Sequence, residues 1–355
     1  MSYSDVLLLG LVMNVVDSKY FNYSGRIIKE DTFAYLGFTN SKVEFYVKSS
    51  STVTSELDIS FETKLNGEVN NARLRVMIDN SYIENVLVLD KQHNSFIIPL
   101  PEDELTHKIT IIKITEAAMS YAKLNDITVI NGTILPYPYQ NDSRIRVEFI
   151  GDSITCGYGV YGEPDSEYDI KEEDGTVTYA ALTADELNLN AQYFSVSGYG
   201  MYLKYDGDLE GVIPKIYSYT NYFIDQDALY NFKEFIPDLY VINLGTNDSG
   251  HLDELNNQIN FKNTYLEFIK NLKNINPNAK ILCIIGTLCT NVYPFINEVV
   301  QTARAEGITD IYTLELPYHD VEKDGMASGH PSLVSHQKDS KRLCKKIAEI
   351  FHIEY

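Results

Sequence analysis

The chain contains no tryptophan, only four cysteines, few basic side chains for its acidic ones, and no apolar stretch of membrane-spanning length. Each scarcity excludes something. Lys and Arg total 29 against 50 Asp and Glu, a formal net charge of −21. A chain this acidic repels phosphate backbones and anionic lipid headgroups. Neither nucleic acid nor a membrane is therefore an expected partner, and a neutral ligand is more natural. Cys156, Cys283, Cys289 and Cys344 form no Cys-x-x-Cys pair, and the seven histidines share no ligand spacing with them or with carboxylates. No metal or other cofactor is expected, and the thiols should be free, which suits a reducing compartment. Without tryptophan, any aromatic platform for a ligand must come from the 27 Tyr and 15 Phe.

The apolar run at residues 6–13 lacks a basic flank, has Asp5 where a positive charge belongs, and is followed by no small-residue cleavage site. It is too short to span a bilayer and reads as a buried strand rather than a secretory leader. On that reading the protein is cytoplasmic. With 355 residues, 44% of them hydrophobic, the chain is long enough for two domains with real cores.

Two patterns divide it. Up to about residue 135 the apolar residues alternate with polar ones. Val43, Phe45 and Val47 recur at period two, as do Leu74, Val76 and Ile78, with further runs at 86–89, 95–100 and 108–114. Turn residues such as Leu65-Asn66-Gly67 and Pro99-Leu100-Pro101 separate them. This predicts an all-β sandwich or jelly roll over residues 1–138. Asn131-Gly132 and Pro136-Tyr137-Pro138 mark a linker.

From 139 to 355 the strands become short apolar runs without alternation, at 147–150, 193–196, 239–244, 281–285 and 311–316. Helical patterns stand between them, clearest at 261–272, 294–305 and 333–351. Alternating strand and helix predicts an α/β domain whose parallel sheet is covered on both faces, with its site at the carboxyl ends of the strands. The acidic stretch 163–175 reads as a solvated loop. Residues 202–235, rich in Tyr, read either as a substrate-binding element or as an ordered helical insertion without a role.

Three peptides carry chemistry: Gly151-Asp152-Ser153-Ile154-Thr155-Cys156-Gly157-Tyr158-Gly159, Gly245-Thr246-Asn247-Asp248 and Gly329-His330-Pro331-Ser332. Acyl transfer needs a nucleophile, a base to activate it, and donors for the oxyanion. Ser153 follows a strand among glycines that allow a sharp turn and a close substrate approach; alternatively Asp-Ser is an ordinary helix cap. Asn247 supplies a neutral N–H donor after a buried strand, or is a turn residue. His330 stands just before the last helix, where its imidazole would be fixed in place, or is a surface residue like its neighbour His336. Gly198, with Gly200 as the alternative, would add a backbone N–H.

These blocks together resemble the SGNH hydrolases (GDSL-type esterases), and the nine-residue block is similar to carbohydrate esterase family 2. Members of that family carry an N-terminal jelly roll, and Lys113-Ile114-Thr115-Glu116 resembles its Lys-x-Thr-Glu strand end. The resemblance covers nearly the whole chain. It implies a flavodoxin-like three-layer α/β/α hydrolase domain behind the jelly roll. It also implies Ser153 as nucleophile, His330 as general base, and an oxyanion hole of Ser153 N–H, Gly198 N–H and the Asn247 side chain. The implied activity is a serine esterase that removes O-acetyl groups from a xylan- or glucomannan-type carbohydrate through an acetyl-serine intermediate.

SGNH enzymes usually place an Asp two or three residues before the histidine and often a Trp just before it. Here those positions hold Ser328, Ala327 and Gly329. Asp324 is a possible third triad member; a backbone carbonyl orienting a Ser-His dyad is the other. Two further functions stay open: an SGNH esterase for another neutral short-chain acyl ester, and a carbohydrate-binding protein with a decayed site. The resembling family is mostly secreted, which sets the alternative to a cytoplasmic location. The sugar, its acetylated hydroxyl and the oligomeric state are not legible.

Overall fold

The computed structural model describes residues 13–50, 52–64, 71–138, 141–164 and 166–355. Two compact units divide the chain. One comprises residues up to Gly37, Ser41–Lys113 and Met119–Asn141; the other comprises Phe38–Asn40, Ile114–Ala118 and Asp142–Tyr355.

The first unit is a pair of antiparallel sheets. One runs Asn22–Ser24, Lys42–Lys48, Thr106–Lys113, Ala72–Ile78, Ser81–Tyr82, with Thr133–Leu135 on Lys42–Lys48 and Leu87–Leu89 on Ala72–Ile78. The other runs Ile28–Lys29, Ala34–Leu36, Ala122–Ile130, Glu56–Glu62, His93–Pro99. Alternate residues of each strand point to opposite faces. Val43, Phe45 and Val47 of one sheet and Leu57, Ile59 and Phe61 of the other accordingly meet in a single core. This is the sandwich that the period-two pattern predicts. The run 6–12 and the turn 65–67 lie outside the described residues; Met13, at the end of that run, bridges Ile127.

The second unit holds five parallel strands: β1 (Arg146–Gly151), β2 (Asn190–Ser195), β3 (Leu239–Asn243), β4 (Lys280–Thr287) and β5 (Ile311–Tyr318), in the order β2-β1-β3-β4-β5. That is the flavodoxin-like order, with its reversal between β1 and β3. The helices that flank the sheet and carry the site include α1 (Ser153–Cys156), α2 (Tyr179–Glu186), α3 (Leu255–Ile275), α4 (Tyr293–Ala305) and α5 (Leu333–Phe351).

Both faces of this sheet are buried, which is why its strands lack polar alternation. Val147, Phe149, Leu239, Val241, Leu282 and Ile284 pack on the side of α2 and α5. Ile150, Tyr240, Ile242, Ile281 and Ile285 pack on the side of α3 and α4, with Phe261, Phe268, Val299 and Val300. Cys283 is fully buried in β4, and all four cysteines are free. Among the described residues no helix is long and apolar enough to cross a membrane.

Two sequence expectations need correcting. The stretch 163–175 is only partly solvated: Glu163, Glu167 and Lys171 are exposed, whereas Glu173 and Asp174 are fully buried and Gly175 is buried beside them. A Cβ at Gly157 would come within 2.4 Å of the Asp174 carbonyl oxygen, so close packing fills what acidic composition suggested was solvated. Residues 202–235 are not a helical insertion. They form one short turn of helix, Ile213–Ile216, and a hairpin of Tyr219–Asn221 with Asp225–Leu229, and Ile213, Ile216 and Tyr217 join the core.

Candidate active site

β1 delivers Ser153. A Cβ at Gly151 would lie 2.0 Å from Thr155 Oγ1, so only glycine lets the strand turn so abruptly into α1. Asp152 caps that turn by accepting from Ile154 N–H at 3.1 Å, and Gly157 ends it with φ +86°. The cap and the candidate nucleophile are therefore separate residues: Asp152 caps, and Ser153 is the first helical residue, at the carboxyl end of β1 beside the reversal point of the sheet.

His330 arrives on a tight hairpin. Ala327 pairs with His330 across a two-residue turn, Ser328 and Gly329, whose φ values are +46° and +70°. Positive φ at both central residues matches the right-handed twist of such hairpins. Ser332 then caps α5 by accepting from Ser335 N–H at 3.3 Å.

His330 Nε2 lies 2.9 Å from Ser153 Oγ, and Nδ1 lies 3.2 Å from the Ser328 carbonyl oxygen. A carbonyl can only accept, so Nδ1 carries the proton and Nε2 is left to accept from the serine hydroxyl. Burial pushes the imidazole below its ordinary range, although the Ser328 carbonyl pulls the other way. The ring is thus neutral near pH 7 and ready to take a proton.

Asp324 does not fill the third position. Its carboxylate pairs with Lys338 Nζ, and its backbone carbonyl accepts from Ser332 Oγ at 2.6 Å. Asp324 is the last residue of a short helix, Val321–Asp324, and its side chain and carbonyl bond to α5 and its cap rather than to the imidazole. His336 is also not a surface residue. It is buried, its Nδ1 accepts from Tyr179 N–H at 3.0 Å at the start of α2, and burial pushes it down to about 3.

Asn247 follows β3 across the reversal point. Its Nδ2 donates to the Tyr199 carbonyl at 2.9 Å and approaches Asp152 Oδ2 at 3.4 Å. Gly198 follows β2 with φ +78°, and a Cβ there would come 2.9 Å from the Tyr205 ring. Gly200 is less suited to a donor role, because its N–H turns toward the Gly211 carbonyl at 3.4 Å. The structure thus brings Ser153 and His330 into contact and links Asn247 to Asp152, the neighbour of that serine.

Three supporting carboxylates were not singled out from sequence. Asp248, fully buried, accepts from Met201 and Tyr202 N–H at 2.9 and 2.8 Å and from Leu203 N–H at 2.7 Å, pinning the segment after Gly198. Burial raises its carboxyl above the usual range. Its signal was a second polar residue beside Asn247 at the end of an apolar strand. Glu116 accepts from Ser197 N–H at 2.8 Å on the other flank of Gly198; the Lys-x-Thr-Glu match was its only trace. Glu173 accepts from Tyr168 Oη at 2.5 Å. Tyr168 stacks on Tyr158 with ring centroids 3.9 Å apart. Among the described residues no group of three or more His, Cys, Asp or Glu is placed to hold a metal ion.

A hydroxyl bonded to a neutral, tautomer-locked imidazole, beside amide donors on a strand end, can attack an electrophilic carbonyl. Comparison with known proteins agrees. Residues 149–336 match the GDSL-like Lipase/Acylhydrolase family, and residues 23–138 match the Carbohydrate esterase 2 N-terminal family. The chain is 30% identical over 253 residues to the cellulase/esterase CelE of Acetivibrio thermocellus, covering 69% of this chain but 30% of CelE. An acetylxylan esterase / glucomannan deacetylase of Cellvibrio japonicus is 22% identical over 322 residues, or 90% of this chain and 84% of that one. The structure of a family two carbohydrate esterase from Clostridium thermocellum, in complex with cellohexaose, superposes with a TM-score of 0.84 at 25% identity, covering 94% and 99% of the two chains. The chain belongs to the GDSL-like lipase/acylhydrolase family, with a carbohydrate esterase 2 N-terminal domain preceding the hydrolase domain.

Proposed function

We propose that this protein is a serine esterase that removes O-acetyl groups from a neutral carbohydrate of the xylan or glucomannan type. The observation that carries the reading is the 2.9 Å contact between Ser153 Oγ and a His330 whose other nitrogen is tied to a carbonyl. The names borne by its relatives supply the substrate class. The net charge of −21 suits a substrate without charge of its own.

In the proposed reaction the Ser153 Oγ–H proton passes to His330 Nε2 as Oγ bonds to the acetyl carbonyl carbon. The carbonyl oxygen becomes an oxyanion held by Ser153 N–H, Gly198 N–H and Asn247 Nδ2–H. Collapse breaks the bond to the sugar oxygen, which takes the proton from His330, and leaves acetyl-Ser153. Water then gives its proton to His330, attacks the acetyl carbon and releases acetate with Ser153 restored. The Ser328 carbonyl keeps the imidazole in the right tautomer throughout, so a Ser-His dyad suffices.

The test is acetate release from 4-nitrophenyl acetate and from acetylated xylo-oligosaccharides by wild type, Ser153→Ala and His330→Ala. Both variants should be inactive on both substrates. Preference for butyryl over acetyl esters would point to another acyl substrate. Inactivity of the wild type on every ester, with carbohydrate still bound, would point to a binding protein. Action inside the cell on imported oligosaccharides is part of the proposal and fits four free cysteines; secreted protein in the culture medium would overturn it.

A further inference from the structure

His330 depends on a carbonyl rather than a carboxylate, and that carbonyl belongs to a strained residue. Ser328 is a non-glycine at φ +46°, a strained conformation that persists only when its surroundings enforce it. The surroundings are the acidic loop that follows Tyr161. Ser328 N–H donates to the Glu163 carbonyl at 2.9 Å. Its hydroxyl donates to Glu172 Oε2 at 2.8 Å and lies 2.9 Å from Ser166 Oγ.

The loop is itself closed. Tyr161 N–H donates to the Glu172 carbonyl at 3.1 Å and Glu172 N–H to the Asp169 carbonyl at 2.8 Å. The chain also leaves a slot for the Ser328 side chain. A Cβ at Gly162 would lie 1.9 Å from Ser328 Oγ and 2.6 Å from Glu172 Oε2, and one at Gly159 would lie 2.7 Å from Ser328 Cβ. Two glycines, one carboxylate and one loop therefore converge on a single hydroxyl.

We propose that Glu172 is the positioning residue for His330: it grips the Ser328 hydroxyl and so fixes the peptide whose carbonyl holds Nδ1–H. The carboxylate that an SGNH triad would place on the histidine acts here one residue further out, from a different loop. Glu172 does not touch the imidazole, so its effect passes through Ser328. Released from Glu172, the Ser328 peptide relaxes from its left-handed conformation and its carbonyl swings off Nδ1. This inference rests on His330 being the general base.

Steady-state kinetics on 4-nitrophenyl acetate test it, with wild type, Glu172→Ala, Glu172→Gln, Ser328→Gly, the double variant Glu172→Ala/Ser328→Gly, and His330→Ala. Glu172→Ala and Ser328→Gly should each lower kcat roughly 10-fold while KM stays within about 2-fold, because orientation of the base is lost and substrate binding is not. Glu172→Gln keeps an acceptor oxygen at the same reach and should retain most of kcat. The double variant should be no worse than either single one, since both break the same link. Glycine tolerates φ +46° but is not confined to it, so Ser328→Gly folds even if Glu172→Ala does not, while the peptide loses the hydroxyl grip that selects this one conformation.

A wild-type kcat in Glu172→Ala or Ser328→Gly would overturn the inference. So would a loss confined to KM, an additive double variant, or a Glu172→Gln as impaired as Glu172→Ala. If His330→Ala stays active, the reading of His330 as base fails instead. If it is dead while Glu172→Ala and Ser328→Gly are normal, only the role of Glu172 falls.

Discussion

The rings of Tyr158 and His330 lie with centroids 4.3 Å apart and tilted by 37°. Tyr158 is held by stacking on Tyr168, whose hydroxyl donates to the buried Glu173 at 2.5 Å. The surface that borders the imidazole is therefore immobilised by contacts ending on a fixed carboxylate. Stacking needs the ring and not the phenol oxygen. Tyr158→Phe should keep kcat within about 2-fold, and Tyr158→Leu should lower it roughly 10-fold by freeing the imidazole. Steady-state kinetics on one acetyl ester decide the point. Equal losses in the two variants would assign the effect to the hydroxyl and sink the ring argument.

Asp152 makes a pH-dependent contribution to stability. Burial, and after it the neighbouring Asp248, push its carboxyl up to about 7. An unfolded Asp titrates near 3.9. Between those values the folded protein holds a proton that the unfolded chain has lost. The stabilisation linked to this proton is complete below the unfolded value and fades as pH rises toward the folded one. Asn is nearly isosteric, and its amide oxygen can still accept from Ile154 N–H. The melting temperature of Asp152→Asn, relative to wild type, should therefore rise as pH goes from 4 to 7. A difference that stays flat across that range would show that Asp152 ionises normally.

Much of this arrangement is legible in the sequence because strand ends and chemistry coincide. Ser153 and Asn247 stand just past apolar runs, and a fully buried parallel sheet leaves its carboxyl edge as the natural place for a site. The contact between Ser153 and His330 follows once both are recognised as polar residues at element boundaries. What supports them is harder to see. A backbone carbonyl has no residue type to search for, so Ser328 carries no signal while Asp324, a carboxylate nearby in sequence, attracts attention and is tied to Lys338 instead. Glu172 lies in a stretch whose acidity suggests solvent, and Glu116 meets Ser197 across 81 positions. Strand pairs such as Glu56–Glu62 with Ala122–Ile130 show the same period-two pattern as their neighbours, but their pairing depends on long-range packing.

The pH dependence of activity should follow His330. Burial pushes its imidazole below the ordinary value of 6.5, and the Ser328 carbonyl recovers part of the shift. As the proposed general base, the imidazole works only when neutral. Hence kcat/KM should rise with pH as the imidazolium loses its proton, with its half-maximum below pH 6.5. His336, held down to about 3, contributes nothing in that range. Asp152, at about 7, is the group that could overlap. Profiles of wild type and Asp152→Asn should share the same acid limb. A limb at or above 6.5 in both would show that the imidazole is not depressed.

Asn247 divides its amide protons between two tasks. One is committed to the Tyr199 carbonyl at 2.9 Å, which fixes the orientation of the amide. The other makes only a 3.4 Å approach to Asp152 Oδ2, at the outer edge of hydrogen-bond range. A developing oxyanion beside Ser153 would be a far better acceptor, and it exists only once the tetrahedral intermediate forms. Losing a donor of this kind leaves ground-state binding intact and raises the barrier. Asn247→Ala should therefore lower kcat by roughly 10²- to 10³-fold with little change in KM. Asn247→Asp should be worse, because it faces a carboxylate toward Asp152, the Tyr199 carbonyl and the oxyanion at once. Measuring kcat and KM for both variants on acetylated xylo-oligosaccharides checks the assignment. An Asn247→Ala enzyme that turns over at the wild-type rate would remove the side chain from the oxyanion hole and leave it a strut for Tyr199.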